Sequence, residues 1–143
     1  RFVCRRLLIS AAEDIGLADP AALQVAAAAT YAADMTGLPE ARILLSEAVL
    51  YLASAPKSNS AYLAVDKAMS AVEGGDLQPV PHHLKPDGSG YRYPHDDPRH
   101  WLPQKYMETP RRFYHPGSLG YEERIATRLR RLWRRFSEPT ESS

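Results

Sequence analysis

With 143 residues, a formal net charge of +1, 44% hydrophobic and 24% charged side chains, the chain has the composition of one globular domain, and wholesale disorder is excluded. It is short for an enzyme with separate cofactor and substrate domains, and its single Cys excludes an intramolecular disulfide framework, which fits a reducing compartment. No apolar run reaches the about 18 residues of a membrane span, and no secretory or transit pattern is visible, so no membrane partner is expected.

The opening Arg1-Phe2-Val3-Cys4-Arg5-Arg6 has no initiator Met and reads as the interior of a longer protein. The first predicted helix, about Phe2 to Ile15, places Leu7, Leu8, Ala11, Ala12 and Ile15 on one face and stops at Gly16. Asp19 caps the second, Pro20 suits its first position, and it runs over Ala21–Met35 to Gly37. Its face of Val25, Ala29, Ala32 and Ala33 is smooth, so a neighbouring helix can approach closely. The third starts near Pro39-Glu40 and ends before Pro56. Ile43, Leu44, Leu45, Ala48, Val49, Leu50, Tyr51 and Leu52 cover almost its whole circumference, leaving a narrow strip of Glu40, Glu47 and Ser54. A helix so apolar is either central in its domain or part of a subunit interface. Ser58 or Asn59 caps the fourth, whose stripe is Tyr62, Val65, Met69 and Val72 and whose end is Gly74-Gly75.

Between 79 and 116 lie eight of the twelve Pro, which rules out long helices. The same stretch holds Tyr91, Tyr93, Trp101, Tyr106, Phe113 and Tyr114, more aromatics than a disordered linker carries. It reads as an extended arm laid on the helices or on a neighbouring subunit, with room for a short helix near Leu102–Met107. The last helix, about Tyr121 to Phe136, has the stripe Ile125, Leu129, Leu132 and Phe136 ringed by Arg124, Arg128, Arg130, Arg131, Arg134 and Arg135. Residues 1–80 carry six basic and nine acidic side chains, and 81–143 carry twelve and eight. The expected organisation is all-α and one structural domain. A compact array of about four helices spans 1–73, a Pro- and aromatic-rich arm 74–120, an amphipathic helix 121–136 and a frayed tail 137–143.

No catalytic constellation emerges. Lys57-Ser58 echoes the end of a phosphate loop, but Pro56 and Tyr51 stand where Gly is required, and the segment reads as a helix-to-helix turn. His95-Asp96-Asp97 with His100 lacks zinc-site spacing and has no Cys nearby. Cys4 reads as a small buried hydrophobe. No catalytic, cofactor-binding or metal residue is assigned. The arginine helix fits phosphate binding through Arg128, Arg131, Arg134 and Arg135; it also fits the solvated face of an amphipathic helix, or arginines paired with acids of the helical zone, and the near-neutral whole chain leans toward these.

Several phrases occur in order: Leu8-Ile9-Ser10-Ala11-Ala12-Glu13-Asp14-Ile15-Gly16-Leu17-Ala18-Asp19-Pro20, Tyr51-Leu52-Ala53-Ser54-Ala55-Pro56-Lys57-Ser58-Asn59-Ser60-Ala61-Tyr62, Pro79-Val80-Pro81-His82-His83-Leu84, Gly90-Tyr91-Arg92-Tyr93-Pro94-His95-Asp96, then Tyr106 and Arg112-Phe113-Tyr114. Over nearly all of 1–136 the chain resembles the C-terminal region of the RarA/MgsA family of AAA+ ATPases, which includes the Werner-helicase-interacting protein. The resemblance implies a helical region that holds the protein as a homotetramer, in a cytoplasmic, nucleoid-associated protein acting at stalled replication forks, in recombination and in repair. It implies ATP and Mg in an N-terminal module outside this chain, with DNA and single-strand-binding protein as partners. Where the family carries a longer basic stretch, only Lys85-Pro86-Asp87-Gly88-Ser89 stands here.

The apolar third helix, the smooth second helix and the aromatic arm together predict more apolar surface than one small array hides. The expected role is oligomerisation, through 39–55 and 90–114, with Leu44, Tyr51, Tyr91, Tyr93 and Trp101 at the interface. The alternative is a nucleic-acid-binding module built on the arginine helix.

Overall fold

The computed structural model describes residues 1–133. Arg134, Arg135, Phe136 and the expected tail 137–143 lie outside the described residues. Among the described residues there is no strand, and the elements are α1 Phe2–Ser10, α2 Ala21–Thr36, α3 Ala41–Ser54, α4 Ser60–Glu73 and α5 Tyr121–Leu132. The fold is all-α, as the periodicities predict.

Two compact units divide the chain. One comprises Arg1–Asp66 and the segment that begins at Tyr114, and the other is Lys67–Phe113. In the first, α1, α2 and α3 pack on one another, most extensively α2 on α3. Their shared core is Leu7, Ala11, Ile15, Ala22, Ala26, Ala48 and Leu52, with Leu8, Val25 and Leu45 against it. Alanine supplies most of the buried positions, so the helices come close while little large apolar surface leaves water.

The expected first helix is shorter. α1 ends at Ser10, and Ala11–Ile15 forms a wider π-helical turn followed by the 3-10 turn Gly16–Ala18. Two contacts hold Asp14 in this turn. Ser10 Oγ donates to Asp14 Oδ2 at 2.5 Å, and the Ser58 N–H donates to the Asp14 carbonyl at 2.9 Å. Ala11 and Ile15 stay buried, but Ala12, expected on the same face, is exposed.

Asp19 caps α2 as expected: its Oδ1 accepts the Ala21 N–H at 3.1 Å. Lys57, in the apparent phosphate-loop echo, closes α3 instead. Its Nζ donates to the Leu52 and Ala55 carbonyls at 2.5 and 2.8 Å, where helix carbonyls lack partners and the dipole favours a cation. Ser58 Oγ then accepts the Ser60 N–H at 3.3 Å at the start of α4.

The second unit has no helix at 102–107; only the 3-10 turns His82–Leu84 and Pro94–Asp96 interrupt its extended chain after α4. Pro103 starts that segment, and the Gln104 side chain is committed to the Arg92 backbone, accepting its N–H at 2.8 Å and donating to its carbonyl at 3.3 Å. Gln78 does the same for Thr109, at 2.7 and 3.0 Å. Arg111 closes the loop with two hydrogen bonds to Asp76, at 2.7 and 3.3 Å.

Candidate functional site

Three surfaces bear on function. The first is apolar. On α3 only Ala41, Ala48 and Leu52 are buried, while Ile43 and Leu50, seven residues apart on one face, are 63% and 67% exposed. The nearly all-round apolar α3 is therefore not the centre of its own chain. On α4 the stripe Tyr62, Val65, Met69 and Val72 is about half exposed along its length. Its three, four, three spacing is that of a helix seam that packs against another helix.

The expected interface residues fall in different settings. Leu44 is half-buried and lines a small hollow between α2 and α3 with Val25, Ala29 and Ala48. Tyr51 donates its hydroxyl to Asp19 Oδ2 at 2.7 Å, and this bond to a carboxylate raises its pKa. The residue remains partly exposed. In the second unit Tyr91 and Tyr93 are exposed and Trp101 is half-buried, with the Arg99 guanidinium 5.9 Å from the Trp101 ring centroid. Asp97 holds that arginine at 3.1 Å, and the hydrogen bond lowers the carboxyl pKa.

The second surface is basic. Arg124, Arg128 and Arg131 sit four and three residues apart on α5, and with Glu123 and Thr127 they line a hollow of about 410 Å³. All three arginines are exposed. Arg128 and Arg131 were expected here; Arg124 joins them because helical spacing puts it one turn earlier on the same face.

The third feature is a buried carboxylate that local spacing does not reveal. Glu122, in the first turn of α5, is 0% exposed. Its Oε1 accepts from the Ser60 hydroxyl at the start of α4 and from the Tyr114 hydroxyl, the latter at 2.8 Å. Burial pushes its pKa up, but surrounding donors, Ser60 and Tyr114 among them, outweigh it, so the net shift is downward even though Oε2 is buried without a hydrogen-bond partner. Burial, then the bond to Glu122, moves the Tyr114 phenol the other way, well above its usual range. This cluster is a latch that fixes α5, and the arginine face it carries, to the start of α4.

His95 and His100 touch through their Nδ1 atoms at 2.8 Å, one as donor and the other as acceptor, with the Tyr93 ring tilted by 42° against His95 at a centroid separation of 5.0 Å. Among the described residues no group of three or more His, Cys, Asp or Glu is placed to hold a metal ion, and no helix is long and apolar enough to cross a membrane.

A family model described as the C-terminal region of MgsA AAA+ ATPases matches residues 1–133. An uncharacterized AAA domain-containing protein of Mycobacterium tuberculosis is 42% identical over 146 residues, covering 92% of this chain and 32% of that protein. The replication-associated recombination protein A of Bacillus subtilis is 40% identical over 131 residues, covering 82% of this chain and 31% of that protein. Its Escherichia coli namesake is 35% identical over 144 residues, covering 90% and 32%. The chain spans about a third of the length of these curated relatives. It belongs to the RarA/MgsA family of AAA+ ATPases and corresponds to that family's C-terminal region.

Proposed function

We propose that this chain is the assembly region, a tetramerisation domain, of an AAA+ ATPase that works in replication-fork maintenance, recombination and repair. The observation that carries the reading is where the apolar side chains sit. An alanine-rich core leaves Ile43 and Leu50 of α3 and the Tyr62–Val65–Met69–Val72 stripe of α4 in water. Surfaces of that kind are covered in a stable soluble protein, and self-association covers them symmetrically. Leu44, Tyr51, Tyr91, Tyr93 and Trp101 stay in the proposal as contributors, with Ile43, Leu50 and the α4 stripe as its centre.

The relatives' name, replication-associated recombination protein A, supports the biological setting. The chemistry, with ATP and magnesium, resides in the polypeptide outside this chain, and DNA and single-strand-binding protein are partners of the whole protein in a cytoplasmic, nucleoid-associated setting. Light scattering at micromolar concentration tests the assembly reading. A tetramer supports it and a monomer overturns it.

The arginine face of α5 favours a second reading, direct contact with nucleic-acid phosphates through Arg124, Arg128 and Arg131, with Arg134 and Arg135 following in the sequence. Binding that weakens steeply with salt and is lost on changing Arg124, Arg128 and Arg131 to Ala supports it. Undiminished binding by that triple variant removes it.

A further inference from the structure

The second unit brings together two imidazoles that lie five residues apart in the chain. The Nδ1 atoms of His95 and His100 are 2.8 Å apart, and the rings meet at 78° with centroids 4.9 Å apart. We propose that this pair is a binding site for a divalent transition-metal ion of the Cu(II) or Ni(II) class, held by the two Nδ1 atoms and completed by water. The inference goes beyond the assembly reading and does not depend on it.

Distance selects the class of ion. With metal–nitrogen bonds of about 2.0 Å, two ligand atoms at the observed separation subtend roughly 90° at the ion. Tetrahedral zinc needs them roughly 3.3 Å apart. Right angles between nitrogen ligands belong to square-planar and tetragonal Cu(II) and Ni(II), which keep waters at their other positions. Both imidazoles are exposed, and a histidine χ2 is a soft torsion. Each lone pair can therefore turn from the other nitrogen to a common point beside the contact.

The turn is built without an ion. Pro94 and Pro98 fix φ on either side of the two aspartates. The Asp96 and Asp97 N–H groups donate to the Tyr93 and Pro94 carbonyls at 3.1 and 3.2 Å, and the His100 N–H donates to the Asp97 carbonyl at 2.8 Å. His100 has a φ of +51°, a left-handed conformation that a residue other than glycine keeps where its surroundings impose it. Here it leaves the ring against His95.

The protonation state also agrees. Two Nδ1 atoms in hydrogen-bond contact share one proton, so at least one ring is neutral, and neutral imidazole is the ligand form. On binding, that proton passes by way of water to the Nε2 of its own ring, and both rings ligate uncharged. The neighbouring Arg99 is occupied elsewhere, on Asp97 at 3.1 Å and 5.9 Å from the Trp101 ring centroid. The bound ion cross-links the turn between Tyr93 and Trp101.

The test titrates Cu(II) into the untagged full-length protein and follows its electron paramagnetic resonance, beside His95→Ala, His100→Asn and His82→Ala. Asn replaces His100 because it tolerates the left-handed backbone. The parent should bind one Cu(II) with splitting from two imidazole nitrogens. His95→Ala and His100→Asn should each lose that signal and bind the ion roughly 100-fold more weakly, because the second imidazole of a pair ligates intramolecularly. His82→Ala should match the parent. Ni(II) should slow amide exchange over 94–101 in the parent and in neither pair variant, while exchange elsewhere stays unchanged and shows that the variants fold. The two-nitrogen signal and affinity surviving in either pair variant overturn the proposal. So does an equal loss in His82→Ala, or Cu(II) held only by single histidines, each variant removing its own weak site.

Discussion

Glu122 is the residue on which the C-terminal helix turns. A fully buried carboxylate is tolerated only while donors surround it, and here two hydroxyls reach one oxygen from α4 and from the chain before α5. Glu122→Leu removes the acceptor that the Ser60 and Tyr114 hydroxyls share, and about 2–4 kcal/mol of stability should be lost in urea titrations. Glu122→Gln keeps an acceptor and should cost less. The folded carboxyl has the lower pKa, so its contribution is complete above the unfolded value of about 4.3 and drains as pH falls through the folded value. The acid limb of stability should therefore be shallower in Glu122→Gln; an identical limb would show that Glu122 does not set it. Gly120 is equally constrained, because its φ of +58° is left-handed and a Cβ would overlap the Ala18 carbonyl. Gly120→Ala should cost about 1–3 kcal/mol, read as a lower Tm.

Among elements, the Pro-rich stretch shows how order arises without a helix. Two glutamine side chains replace ladder partners, each holding both backbone groups of a residue on another strand-like segment. Gln78→Ala should raise amide exchange at Thr109 selectively, and Gln104→Ala should raise it at Arg92. Uniform acceleration across 67–113 would instead mean the glutamines hold the unit as a whole. The Asp76–Arg111 pair is partly exposed, and solvent screening makes its loss a small effect on stability. These clamps also mark where sequence reading stops. Helices α2 to α5 were legible because Asp19, Ser58 and the glycines punctuate strong 3.6-residue patterns. The π-helical turn was not, because the Ser58 N–H that binds the Asp14 carbonyl lies 44 residues further along the chain. The Glu122 latch was missed for the same reason, since Ser60 is 62 residues away and a first-turn acid already has a local explanation in the helix dipole. Residues of the apolar and arginine faces were legible as stripes, but periodicity gives a face, not what covers it. Thus Leu44 turned inward to α2 while Ile43 and Leu50 turned out.

At the scale of the molecule, an alanine core and an apolar exterior are one fact seen from two sides. Alanines let α1, α2 and α3 approach closely, and the longer side chains project from the outer faces. A standard interface buries about 800 Å² per partner, and Ile43 and Leu50 of α3, and separately the α4 stripe, offer anchors of the right chemistry for one. Val65→Glu with Met69→Glu, and separately Leu50→Asp, should lower the mass of the assembly in light scattering. Because these side chains are half exposed or more within one chain, the substitutions should leave helical circular dichroism intact, surface changes usually moving stability by no more than about 0.5 kcal/mol. Arg124, Arg128 and Arg131 to Ala provides the contrast. That variant should keep the full mass, and if α5 meets phosphates the slope of log affinity against log salt should fall by roughly 0.9 per duplex contact removed, or roughly 0.7 on single strands. An unchanged mass in both apolar variants would move assembly away from α3 and α4. A mass lost in the arginine variant would make the basic face itself part of the assembly, pairing with the acidic excess of residues 1–80 on a neighbouring copy.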